Sequence, residues 1–143
     1  MSDVDAKVGV VVFGARGRMG RALVGAIADD ARCSLAAAID QGDEPPSAGD
    51  LVIDFSSDEG AKSALATSER LSAPLLVGTT ALSPATIEAL RHAAGRRAVM
   101  VASNASIGVA VMHRMLDLAV RALGPDWTVR LSETHHEIGR AHA

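Results

Sequence analysis

The stretch Val8-Gly-Val-Val-Val-Phe-Gly-Ala-Arg-Gly-Arg-Met-Gly20 restricts this chain more than any other. Its β-branched and apolar run, Val8 to Phe13, reads as a fully buried strand. The run stops at Gly14, and Gly17 and Gly20 follow at intervals of three. Arg21-Ala-Leu-Val-Gly-Ala-Ile-Ala28 then has helical apolar spacing. Strand, glycine turn and helix in that order form the first half of a dinucleotide-binding unit. Residues without a Cβ let backbone N–H groups approach a pyrophosphate, and a helix N-terminus adds partial positive charge. The spacing is G-x-x-G-x-x-G, where G-x-G-x-x-G is commoner. Glycines alone also make close-packed turns, and it is the flanking strand and helix that favour nucleotide.

The rest of the chain alternates strand and helix. Cys33 to Ile39 reads as a second strand ending in Asp40, an acidic residue placed to accept hydrogen bonds from an adenosine ribose. The competing reading is that Asp40 only opens the Gly-, Pro-, Asp- and Ser-rich loop from Gln41 to Asp50. Gln41, with no Lys or Arg beside it, favours NADH over NADPH, although Arg16 or Arg18 is also placed to meet a 2′-phosphate. Leu51 to Phe55 is a third strand with Asp54 inside it, a residue satisfied by turn N–H groups or used in catalysis. Ser56-Ser57-Asp58 offers an N-cap for a helix from about Glu59 to Arg70. Pro74 to Val77 is a fourth strand, Ser83-Pro84 starts a helix running to about Ala94, and Ala98 to Ala102 is a fifth strand. A helix from Ile107 to about Leu123 and a sixth strand from Trp127 to Leu131 complete the pattern.

Such alternation with short connections predicts one α/β domain, a Rossmann-type doubly wound parallel sheet with helices on both faces. Ligands of such sheets bind beyond the carboxyl ends of the strands. The polar clusters fall there: Gly14 to Met19, Asp40, Phe55 to Ser57, Gly78 to Thr80, Ala102 to Ala105 and Glu133 to His136. Gly78-Thr79-Thr80 offers N–H groups and two hydroxyls beside the expected nicotinamide position. Ser103-Asn104-Ala105 offers an amide for a carboxamide or a carboxylate, though Asn also serves turns. His135 and His136 are adjacent and point apart on extended backbone, which argues against a shared metal site. One of them suits acid–base work near neutral pH, and the other suits an anionic substrate group. A solvated pair is the alternative. His92 and His113 fall within helices and receive no role.

Composition narrows the partners. A net charge of −3 and 2% aromatic residues, Phe13, Phe55 and Trp127, argue against nucleic acid. The single cysteine, Cys33, excludes an internal disulfide framework and suits a reducing compartment, and it reads as a buried structural thiol. Met1 to Lys7 lacks a signal-peptide core, and no apolar run reaches membrane-spanning length, so a soluble cytoplasmic protein is expected.

Gly14-Ala-Arg-Gly-Arg-Met-Gly20, Val52-Ile-Asp-Phe-Ser56, Val77-Gly-Thr-Thr80, Ala102-Ser-Asn-Ala-Ser-Ile-Gly-Val109 and Glu133-Thr-His-His136 resemble, in order and spacing, the dihydrodipicolinate reductase family. The resemblance runs from about Val8 to His136. It implies hydride transfer from NADH or NADPH to a cyclic dicarboxylate, with release of water, in the diaminopimelate route to lysine. It further implies that Gly14, Ala15, Arg16, Gly17, Arg18 and Met19 bind the pyrophosphate and Asp40 the ribose. Phe55 and Ser56 join the cofactor site, and Gly78, Thr79, Thr80, Ala102, Ser103, Asn104 and Ala105 position the nicotinamide. His135 matches the family's proton donor, and His136 a substrate-binding histidine; no metal is implied. Family members are tetramers assembled through a separate substrate domain.

This chain departs from that pattern after His136. The family's catalytic lysine stands three residues on, where this chain has Gly139, and the Ser-Gly-Thr anion loop and tetramerisation domain do not follow. Arg140 carries charge but is a poor proton donor near neutral pH. The loop from Gln41 to Asp50 is also shorter than in longer members. Residues 1–136 are therefore expected to form the dinucleotide-binding domain of a truncated reductase. Residues 137–143 read as an aberrant tail, foreign to the domain, where the substrate domain would begin. The alternatives are a stand-alone NAD(H)-binding regulatory or redox-sensing module, and a different Rossmann oxidoreductase of the aspartate or homoserine dehydrogenase kind. The last gives no reason for the paired histidines.

Overall fold

The computed structural model describes residues 6–102, 104–130 and 132. They form two units, divided between Ser103 and Asn104. The first contains β1 (Val8–Phe13), α1 (Arg18–Asp29), β2 (Cys33–Ile39), β3 (Leu51–Asp54), α2 (Asp58–Leu71), β4 (Leu75–Val77), α3 (Pro84–Ala94) and β5 (Val99–Val101). All four strand pairings are parallel, and the sheet order is β2-β1-β3-β4-β5. From β1 the chain winds outward to β2, then crosses back to β3 on the other side of β1. That reversal makes a topological switch point between β1 and β3.

Alternation along β1 builds a core on each face of the sheet. Val10 and Val12 pack with Ile27 of α1, and Leu23 and Val24 lie against them. Val11 and Phe13 face the other way, onto Ala61, Ala64 and Leu65 of α2 and Leu90 and Ala93 of α3. Helices therefore cover both faces, as the sequence predicts. Val11, Val12, Val52 and Val77 are fully buried, and each such side chain contributes roughly 1.5–3 kcal/mol. Small residues on α2 let it lie close to the sheet. Cys33 is half-buried against the α1 side, less enclosed than expected.

The helix starts follow from their caps. Ser57 accepts the Gly60 N–H at 3.2 Å at the head of α2, and Ser83 accepts the Thr86 N–H at 3.3 Å at the head of α3, with Pro84 in the first turn. The second unit contains α4 (Ile107–Leu123), capped by Ser106, which accepts the Val109 N–H at 3.4 Å.

The expected sixth strand is not found. Residues 127–130 pair with no strand among the described residues, and Leu131 lies outside them. Apolar alternation supplies strand propensity, but a strand exists only where a neighbouring ladder accepts its backbone groups.

Candidate functional site

The carboxyl ends of β1, β2 and β3 meet at the switch point, and a cleft of about 800 Å³ opens there. Gly14, Gly17, Asp40, Phe55 and Ser56, all singled out from the sequence, line it. Gly14 has φ +74°, and a Cβ on it would collide with the Phe55 carbonyl. A Cβ on Gly20 would collide with the Gly14 carbonyl, so the head of α1 can press onto the turn only without side chains there. The turn is tied to β2 by the Gly14 N–H, which donates to the Ile39 carbonyl at 2.8 Å.

Among the described helices α1 alone has no side chain capping its head. Gly17 is its N-cap, and no acidic residue lies in its first turn. The first N–H groups of a helix need an acceptor. Here that end faces solvent beside the cleft, with Arg16, Gly17, Arg18 and Met19 all exposed. Such an end accommodates an anion.

Asp40 stands at the rim, its side chain 20% exposed. Its Oδ2 accepts the Arg16 N–H at 2.9 Å, and the Arg16 Nε lies 3.7 Å from the same oxygen. Asp43, absent from the sequence-based site, accepts the Asp40 N–H at 2.9 Å and lies 3.5 Å from Arg16 Nη2. Two carboxylates thus flank one guanidinium at the β2 corner. Its spacing from Asp40 hints at a side-chain-capped turn, but in a loop rich in Asp, Gly and Pro that hint does not stand out. The far wall includes Glu59, Ser63 and Arg70 of α2. Arg70 donates to the Pro46 carbonyl at 2.5 Å, fixing the loop that closes the cleft.

Asp54 is satisfied inside the fold, chiefly by two hydroxyls, with the Ser56 backbone N–H adding to them. The carboxyl is fully buried, Ser56 Oγ–H donates to Oδ1, and Thr79 Oγ1–H donates to Oδ2 at 2.6 Å. Burial pushes its pKa up, and the Ser56 and Thr79 hydroxyls hold it back. Thr79 Oγ1 also accepts the Ser56 N–H at 2.9 Å, so one of the two hydroxyls expected to face a ligand is committed to the interior. Thr80 lies beside it, and both border a smaller, apolar cleft of about 350 Å³ between α3 and β5, with Leu82 and Val99.

Ala102 closes β5, its N–H donating to the Val77 carbonyl at 2.8 Å. Asn104 and Ala105 belong to the second unit, where Asn104 Oδ1 accepts the Ser106 N–H at 2.8 Å. Ser103, His135 and His136 lie outside the described residues. Among the described residues no cluster of His, Cys, Asp and Glu is arranged to hold a metal ion. No helix among them is long and apolar enough to cross a membrane.

Comparison with known proteins agrees with this geometry. The family model described as dihydrodipicolinate reductase, N-terminus, matches residues 8–48 and 46–105. A protein of Nitrosomonas europaea named 4-hydroxy-tetrahydrodipicolinate reductase is 32% identical over 152 aligned positions, covering 89% of this chain and 57% of that protein. One of the same name from Xanthomonas axonopodis pv. citri is 35% identical over 148 positions, covering 90% of this chain and 61% of that protein. The chain thus spans about three-fifths of the length of these relatives.

Proposed function

The chain belongs to the dihydrodipicolinate reductase family, and from that membership and the cleft we propose that it binds NADH as the cofactor-holding part of a 4-hydroxy-tetrahydrodipicolinate reductase. The observation that carries this reading is the uncapped head of α1, opening beside a cleft lined by Gly14, Gly17 and Asp40. A dinucleotide fits this arrangement: glycines allow close approach, the α1 N–H groups take the pyrophosphate, and a carboxylate takes ribose hydroxyls. Bound there, the cofactor supplies a hydride.

The protein's own residues hold and orient. Asp40 keeps one oxygen on the Arg16 N–H and turns the other to the ribose. Asp43 adds a second negative charge, which disfavours a 2′-phosphate and supports NADH over NADPH. Gly78, Thr79 and Thr80 bound the nicotinamide end through their backbone and the Thr80 hydroxyl. The family motif assigns Ala102, Ser103, Asn104 and Ala105 to the nicotinamide as well. His135 delivers a proton to the substrate and His136 meets a carboxylate, roles drawn from the family motif. The cytoplasm and assembly into tetramers are part of the same proposal, as is residues 1–136 acting as the cofactor domain.

A second reading, an NAD(H)-binding module without turnover, is favoured by Gly139 in place of the family's lysine. A turnover assay separates the two. The purified chain is given NADH and freshly generated 4-hydroxy-tetrahydrodipicolinate, and nicotinamide absorbance is followed. Oxidation of NADH that depends on substrate and is lost in His135→Gln supports the reductase. Tight NADH binding with no oxidation supports the module.

A further inference from the structure

Asp54 is the one carboxyl in the first unit's described residues that is fully buried. It is the last residue of β3, paired in register with Phe13 on one side and Val77 on the other. Its carboxyl takes the hydroxyls of Ser56 and Thr79, while its main-chain carbonyl accepts the Gly78 N–H at 2.7 Å. Thr79 Oγ1 closes the ring by accepting the Ser56 N–H. One residue therefore fastens the turn after β4 by both main chain and side chain, and fastens the turn after β3 to the same point.

That fastening extends to the glycine turn through Phe55. The Phe55 ring lies where a Cβ on Gly78 would be, and the Phe55 carbonyl lies where a Cβ on Gly14 would be. The Phe55 N–H donates to the Phe13 carbonyl at 3.1 Å. The turn after β3 thus meets the turn after β1 through its backbone at Gly14 and the turn after β4 through the Phe55 ring at Gly78. Phe55 therefore contacts both the Gly78 turn and the Gly14 turn.

Stability alone gives little reason for a carboxyl here. Burying one carries a desolvation cost that two hydroxyl donors offset only in part, and apolar replacement of buried polar groups is often neutral or favourable. What a carboxyl adds is direction. With two acceptor oxygens it fixes both hydroxyls, and it holds the Thr79 Oγ1 lone pair on Ser56.

We propose that Asp54 is a positioning residue that, through Thr79 and Ser56, sets the nicotinamide-side turn against the pyrophosphate turn. The proposal rests on the cofactor reading given above. Asp54 touches no cofactor atom; it acts by fixing where the 78–80 backbone stands.

The test compares two ligands on the full chain: NADH, and ADP-ribose, which lacks the nicotinamide. Asp54→Asn and Thr79→Val should each weaken NADH about tenfold relative to ADP-ribose, the loss of a hydrogen bond to a charged group. Thr79→Ser, which keeps the hydroxyl, should restore the wild-type ratio. Far-UV circular dichroism and a cooperative melt establish that each variant is folded, and Thr79→Val reads the same ring if Asp54→Asn does not fold. An unchanged ratio in a folded variant overturns the proposal. So does collapse of both disrupting variants, which would make the ring an element of stability alone. Wild-type chain that binds neither ligand removes the cofactor reading and this inference together, whereas binding of both with an insensitive ratio removes only this inference.

Discussion

Arg16 meets Asp40 twice, through its backbone N–H at 2.9 Å and through its Nε at 3.7 Å, although 24 positions separate the two in sequence. The pair joins the glycine turn to the end of β2. On the proposed cofactor reading it also engages the cation placed to meet a 2′-phosphate, and Asp43 holds the other end of the same guanidinium. NADPH should therefore bind more weakly than NADH. Replacing Asp43 by Asn removes a charge from the corner while leaving Asp40 for the ribose. We expect the NADPH-to-NADH affinity ratio to rise about fivefold, the effect of one partly screened charge at this range. Calorimetric titration with both cofactors checks it, and an unchanged ratio would place selectivity elsewhere.

Two glycines of α1 should respond in opposite ways to alanine. Gly20 lies against the Gly14 carbonyl and the Ala15 backbone, so a methyl group there forces the helix off the turn. Gly20→Ala should cost about 1–3 kcal/mol of stability and abolish NADH binding. Gly25 has no atom within 4 Å of the place a Cβ would take. Gly25→Ala should stabilise by up to about 1 kcal/mol with binding intact, from helix propensity alone. Urea denaturation of the two variants side by side measures both effects.

Asp58 ties the head of α2 to the head of α3. Its Oδ1 accepts the Ser83 N–H at 2.7 Å, and Lys62 Nζ lies 3.0 Å from Oδ2. The Ser83 N–H, then the Thr86 hydroxyl and Lys62, hold its pKa well below the usual carboxylate range. A lowered pKa in the folded state means that the unfolded chain binds the proton more readily. The tie is therefore complete above about pH 4 and fades as pH falls through the folded value. Asp58→Asn should lower the melting temperature at pH 7, with the gap from wild type constant down to about pH 4 and narrowing as pH falls below it. A gap independent of pH would show that the carboxylate's charge plays no part.

Much of this was legible in the sequence because the signals were local. The Val8–Phe13 run, the glycine turn and the Ser57 and Ser83 caps each specify their own element, and Gly14, Gly17 and Asp40 share one cleft. What was not legible depends on partners distant in sequence. Asp54 and Thr79 are 25 positions apart, and no spacing rule joins a strand-end carboxyl to a hydroxyl in another turn. Asp43 was hidden for the opposite reason, since its loop is full of residues that turns use anyway. The segment from Trp127 failed as a strand because periodicity describes a face and not the neighbour that must pair with it.

On the proposed reading, the cleft at the β1–β3 switch point holds NADH. Titrating the purified chain with NADH and following nicotinamide fluorescence tests it most directly, with Gly20→Ala as the comparison. Saturable binding at one site per chain is expected, with enhanced emission that Gly20→Ala abolishes. A folded wild-type chain that leaves NADH fluorescence unchanged, and gives no heat on titration, would contradict it.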